Sequence, residues 1–254
     1  MTEQAMSNSG SLESDVQSVL KRLGTRAMGL TGADVKRIVR EARQVARRQK
    51  RPIQYKDLED GIRMHRPPLP HDLRWRFAVH EAGHAIVHHA LKLGPIEGIT
   101  IDMPDGGYSL LAFQRSGSDT LSYREDLLAM LLAGRAAEHI VFCSVSVGSA
   151  GSDDSDLARA TGLALALERS LGFGAVQPLL YRDDKDPTVV LDARPDLAAR
   201  VHARLEKALA KAMDLLTGSR DKLDRLTAVL FEQQALDGET VIDILNDRTS
   251  VAIR

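Results

Sequence analysis

Apolar residues recur along this chain mostly at helical spacing. Val35, Ile38, Val39 and Ala42 form a stripe inside the segment Thr31 to Arg48, where Thr31 is suited to cap the helix and Asp34 falls in the first turn. A second helix is predicted from Arg74 to Leu93, ended by Gly94-Pro95. A third spans Ser122 to Phe142, and a fourth Asp156 to Leu171, closed by Gly172. Leu197, Val201, Leu205, Leu209 and Met213, four residues apart, predict a long amphipathic helix over Asp196 to Leu216. Ser219 is expected to cap another that runs to about Gln234, and a short one follows Asp237-Gly238. Alternation of the strand kind is confined to one place. Ile99-Thr100-Ile101 and Tyr108 to Phe113 flank the turn-forming Asp105-Gly106-Gly107 and predict a hairpin. The fold class is therefore mainly α, with a small β-hairpin or sheet, and residues 173–193 are irregular.

Breaks in the pattern set the organisation. Pro67, Pro68 and Pro70 cannot continue a helix and mark a domain boundary. Residues 1–18 read as a disordered leader, 19–66 as a helical unit, 67–247 as the main domain and 248–254 as a tail. No apolar run reaches the roughly 18 residues of a membrane span, because Arg135, Glu138 and His139 interrupt the best of them.

Composition alters this picture little. The 254 residues are 43% hydrophobic but only 4% aromatic, so the core is expected to consist of Leu, Ala and Val. A formal net charge of −1 gives no global argument for nucleic acid as a partner. The basic run from Lys21 to Arg51 reads as a solvated helix face. Cys143 is the only cysteine, which excludes an internal disulfide and a cysteine zinc site and fits a reducing, cytoplasmic setting.

The sharpest chemical signal is His80-Glu81-Ala82-Gly83-His84. On a helix, positions four apart share a face about 6 Å apart along the axis, so two imidazoles can close on one cation. Glu81 lies off that line, where its carboxylate can take a proton from water without being a ligand. This is the chemistry of a zinc-dependent hydrolase, with one Zn2+ per chain. His88 continues the spacing but lies too far along a straight helix to share the ion, so His88 and His89 are read as surface or supporting histidines. Position 90 is Ala90, which excludes a third histidine ten residues after His80. The third ligand must then be acidic and remote. Glu138, Asp153, Asp154 and Asp156 are all candidates, and spacing does not choose among them.

His80-Glu81-Ala82-Gly83-His84-Ala85, Ala133-Gly134-Arg135-Ala136-Ala137-Glu138 and Ser155-Asp156-Leu157-Ala158-Arg159-Ala160-Thr161 together resemble the peptidase domain of the FtsH-type AAA proteases. Ser219 to Leu223 and Leu236 to Glu239 are similar to that family's C-terminal helices. The resemblance implies that the metal is held by His80, His84 and Asp156, with Glu81 as the catalytic base and Glu138 orienting a ligand. It also implies that residues 19–66 are a remnant of the AAA lid, since Gly29 to Asp34 and Gln54 to Asp60 look like parts of it. No Gly-Lys pair occurs anywhere in the chain, so no phosphate loop and no ATP site are expected. The implied activity is endopeptidase cleavage of unfolded protein or peptide, driven by ATP only when joined to a motor. The implied assembly is a homo-oligomer, hexameric in the family, with no nucleic acid partner. The competing reading is a catalytically silent zinc-binding module, and Glu81 argues against it because assembly alone does not require a carboxylate there. Tyr108 to Phe113 is either a sheet edge that accepts an extended polypeptide or an ordinary interior strand.

Overall fold

A computed structural model describes residues 17, 19–21, 23–27, 29–65, 69–103, 106–113, 119–147, 152–182 and 187–247. Apart from Gln17, the expected leader lies outside the described residues, as do Arg66-Pro67-Pro68, Asp105, residues 148–151 and the tail.

The chain is mainly α. Helices α1 (Gly32–Arg48) and α2 (Tyr55–Met64) pack on each other. The first is capped as the sequence predicts: Thr31 accepts from the Asp34 amide while the Asp34 carboxylate accepts from Thr31. Arg26 ties this region to the rest by donating to the Gln233 carbonyl and pairing with Glu59 at 3.0 Å.

Helix α3 (His71–Ala90) runs through the centre of the main core. Its middle stretch, Ala78 to His88, is buried throughout, because other elements flank it on several sides. Strands β1 (Ile96–Met103) and β2 (Gly106–Leu111) follow as the expected hairpin, longer at its start than the alternation indicated. Helices α4 (Leu121–Leu131), α5 (Ala133–Phe142), α6 (Asp156–Arg169) and α7 (Pro187–Ala193) come next. The long α8 (Pro195–Thr217), α9 (Arg220–Gln233), β3 (Ala235–Asp237) and α10 (Gly238–Leu245) complete the chain. The three strands form one antiparallel sheet in the order β2-β1-β3, so β2 is an edge strand among the described residues. Helix α3 is packed between α5, α9 and this sheet, while α8 lies across α4, α5 and α6.

Three expectations need correction. The helix predicted over Ser122 to Phe142 is two helices, divided at Leu132 (φ −94°, ψ 1°). The break leaves the Met130 carbonyl to accept from a side chain, His84, 2.9 Å away. Ser219 makes no side-chain cap to α9, having φ −122° and ψ 29°. His88 is not at the surface: it is fully buried, its Nε2 donating to the Gly94 carbonyl at 3.1 Å. Burial there holds the imidazole neutral by lowering its pKa.

A buried ion cluster sets the lie of α6. The Glu168 carboxylate, 3% exposed, accepts from Arg204 Nε at 2.7 Å and Arg200 Nε at 3.1 Å, both on α8. Arg204 also donates to the Phe173 carbonyl at 2.8 Å, which anchors the chain just past Gly172. Removing one partner of a buried pair costs about 3–5 kcal/mol, and less here because both arginines are partly solvated. Burial opposes the charge on Glu168, but the two guanidinium groups hold its pKa below the ordinary value. Its stabilisation is therefore complete above the ordinary carboxylate range and is lost as the pH falls through the lower, folded-state value. Glu168→Gln should lower stability by about 2 kcal/mol at pH 7, measured by denaturant unfolding in EDTA, and the difference from the parent should shrink on acidification below about pH 4.

Candidate metal centre

Helix α3 presents Arg76, His80 and His84 at successive four-residue intervals on one face. The two imidazoles meet at the mouth of a cleft of about 370 Å³, with ring centroids 4.8 Å apart. Asp156, the first residue of α6, brings its carboxylate to the same point. The ends of these side chains form a nearly equilateral triangle. His80 Nε2 lies 3.2 Å and His84 Nε2 3.0 Å from Asp156 Oδ2, and the two nitrogens are 3.1 Å apart.

The opposite ring nitrogens decide what those inner atoms can do. His80 Nδ1 lies 2.9 Å from Glu138 Oε1, and His84 Nδ1 2.9 Å from the Met130 carbonyl oxygen. Both outer partners are acceptors, so each Nδ1 carries a proton, and a ring in its neutral form turns an Nε2 lone pair inward. Two lone pairs and a carboxylate oxygen in mutual contact repel one another unless positive charge lies between them. Ligands about 2.0–2.1 Å from a tetrahedral zinc are spaced about 3.3 Å apart, close to the triangle seen here. The donor set thus fits a divalent cation, and His80, His84 and Asp156 together could hold one.

The charge preferences agree. Burial opposes charging His80, yet the Asp156 and Glu138 carboxylates outweigh it and push its pKa up to about 10. Burial likewise opposes the Asp156 carboxylate, but His84 and His80 hold its pKa far below the usual range.

Glu138 is 1% exposed and stands behind His80 rather than beside the triangle. Arg76 Nη1 donates to its Oε2 at 2.7 Å, as does the Ser146 amide at 2.8 Å, and the Ser146 hydroxyl reaches Oε1 at 3.0 Å. Burial opposes the charge on Glu138, but His80, Arg76 and the Ser146 amide outweigh it and lower its pKa to about 2. An ionised Glu138 can only accept, which fixes the tautomer of His80. Asp153 and Asp154 are exposed and outside the triangle, although Asp154 lines the cleft. Ser155 caps α6 by accepting from the Ala158 amide, which sets the angle at which Asp156 enters.

Glu81 is buried one position off the ligand face, and its Oε2 accepts from the Ser109 hydroxyl at 2.5 Å. Helix α3 also crosses α5 at very short range. A Cβ on Gly83 would lie 2.6 Å from Ala137 Cβ, and one on Gly134 would lie 2.3 Å from His80 Nε2. Both glycines therefore serve close approach.

The structure brings together His80, Glu81, His84, Glu138 and Asp156. Sequence reasoning missed Arg76, Ser109, Ser146 and the Met130 carbonyl. Arg76 was open to discovery, being one turn before His80 on the same helical face. The other three come from remote chain and carry no local signal.

A helix with two histidines flanking a buried glutamate, completed by an acidic group from a later helix, defines the metallopeptidase class built on a His-Glu-x-x-His helix. Within that class the chain belongs to peptidase family M41, whose sequence pattern matches residues 70–244. It is 32% identical over 265 residues to the ATP-dependent zinc metalloprotease FtsH 3 of Symbiobacterium thermophilum, covering 92% of this chain and 40% of that protein. It is 33% identical over 254 residues to the ATP-dependent zinc metalloprotease FtsH of Methylibium petroleiphilum, covering 88% and 40%. With the Pseudomonas putida protein of the same name the figures are 32% over 249 residues, 86% and 39%. The chain thus spans about two fifths of the length of these relatives. Among the described residues no helix is long and apolar enough to cross a membrane.

The approach at Gly134 makes a direct prediction. Gly134→Ala should displace the His80 ring and reduce bound zinc severalfold, read by elemental mass spectrometry after dialysis, while the far-ultraviolet spectrum stays helical.

Proposed function

We propose that this chain is a zinc-dependent endopeptidase domain that hydrolyses peptide bonds of unfolded polypeptides. The observation that carries the reading is the convergence of two imidazole Nε2 atoms on one carboxylate oxygen, with both outer nitrogens committed to acceptors. His80, His84 and Asp156 are the metal ligands in this reading, and Glu138, backed by Arg76, holds His80 in its ligating tautomer. Zinc, when bound, supplies a Lewis acid that polarises the scissile carbonyl and acidifies water. Glu81 accepts the proton of the attacking water and delivers it to the departing amine, so that the new carbon–oxygen bond and the broken carbon–nitrogen bond balance. Burial among α3, β2 and the cleft wall keeps this carboxylate away from bulk solvent.

The substrate class is supported by the edge position of β2, whose residues Gly107 to Leu111 line the cleft beside Glu81. An extended polypeptide added there binds through its backbone, which tolerates many sequences. Tyr108 is 50% exposed and offers a first side-chain contact. Residues 19–66 form a lid-like helical unit and 67–247 the peptidase domain. Coupling to ATP belongs to an AAA motor joined to this domain, and the assembly is a homo-oligomer, hexameric as the family resemblance implies.

Glu81→Gln should keep one zinc per chain yet lower casein cleavage by about a thousandfold. Asp156→Ala should lose or loosen the metal. Zinc retained in Asp156→Ala but lost on changing Glu138 would refute the ligand assignment. A zinc-loaded parent that cleaves no unfolded substrate would instead favour the silent zinc-binding module.

A further inference from the structure

Ser109 has no part in the metal triangle, yet its hydroxyl is committed to Glu81, a buried carboxylate beside it. Strand alternation puts Gly107, Ser109 and Leu111 on one face of β2. That face is turned to α3: Leu111 packs on the core, Ser109 bonds to Glu81, and Gly107 lies under the same carboxyl group. A Cβ at Gly107 would come within 2.4 Å of Glu81 Cγ and 2.6 Å of Oε1, so the strand leaves room for the glutamate only because this position is bare. Opposite Ser109 across the sheet is Ile99, which is fully buried and fixes the height of β2 over α3. Glutamate has three side-chain torsions and, on the exposed rim of a cleft, many accessible directions. Here Gly107 and Ser109, both beside its carboxyl group, are supplied by a single strand.

We propose that β2 is a cradle for the general base, with Gly107 admitting the Glu81 carboxyl group and Ser109 as the positioning residue that aims it. The proposal rests on Glu81 being the base. A hydroxyl suits this task better than an amide or ammonium group. It donates to the carboxylate before the reaction and, by rotating, can accept from the carboxylic acid once Glu81 has taken the proton of water. The same contact therefore serves both protonation states without any movement of β2. Because β2 is also the edge that an extended substrate would join, seating of substrate and aim of the base are mechanically linked through one strand. Ser109 itself acts through Glu81 and forms no bond to substrate.

The test combines kinetics on the zinc-loaded chain with crystal structures of the parent, Ser109→Ala, Ser109→Thr and Gly107→Ala. In Ser109→Ala, kcat for a fluorogenic peptide should fall about tenfold, the scale of a modest misplacement of a reacting group. KM should stay within about twofold, zinc should remain at one per chain, and the Glu81 carboxyl group should leave its parent position or split between rotamers. Ser109→Thr, which keeps the hydroxyl and suits a strand, should restore kcat to within about threefold. Gly107→Ala should displace Glu81 in the crystal even with the Ser109 hydroxyl present. A raised KM with unchanged kcat in Ser109→Ala would make Ser109 a substrate contact and overturn the proposal. So would a Glu81 carboxyl group that stays ordered in place without the hydroxyl. If the zinc-loaded parent cleaves nothing, the peptidase reading fails by itself, and the crystal structures still decide whether Ser109 positions Glu81.

Discussion

Two imidazoles whose inner nitrogens sit 3.1 Å apart, both against one carboxylate oxygen, are the constraint around which the rest of this molecule is arranged. Such nitrogens repel unless a cation separates them, and neither can escape by changing tautomer. Glu138 and the Met130 carbonyl accept from the outer nitrogens and so turn both inner nitrogens toward Asp156. Much of the surrounding structure exists to keep those outer acceptors in place. Arg76 and Ser146 keep Glu138 ionised, and the break at Leu132 leaves the Met130 oxygen to His84.

That arrangement requires α3 and α5 to approach more closely than ordinary side chains permit. Gly83 and Gly134 remove the two Cβ atoms that would collide at the crossing. The alanines at 133, 136 and 137 keep the remaining interface thin, and each is fully buried. A core poor in aromatic rings follows from the same geometry, since wide side chains would push the ligand helix away from Glu138. The third corner of the triangle depends on the far end of α6, where Glu168 is clamped between two arginines of α8. A helix anchored by its C-terminal end delivers Asp156 at its first turn with little freedom.

The cleft wall opposite this assembly is β2, bonded on one side to β1 and open on the other. It meets the candidate base on one face and lines the cleft along its length. Sheet edge, Glu81 and the cluster of His80, His84 and Asp156 consequently share one neighbourhood. The membership in family M41, whose pattern spans the elements from α3 to α10, accords with this dense mutual dependence.

The helical periodicity and the spacing of His80, Glu81 and His84 were legible from the chain alone, because a helix converts sequence separation directly into direction. Thr31 could be read in the same way, as a local cap acting within three residues. The resemblance of three ordered motifs carried the reading further, to Asp156 and Glu138. Spacing had left four acidic residues open, and only tertiary structure separates them: it puts Asp156 beside both imidazoles, Glu138 behind one of them, and Asp153 and Asp154 at the surface. It also decided the break at Leu132, the burial of His88, and the meeting of Ser109 with Glu81. Each of these depends on contacts between residues distant in the chain, where packing and the need to satisfy buried polar groups prevail over local preference.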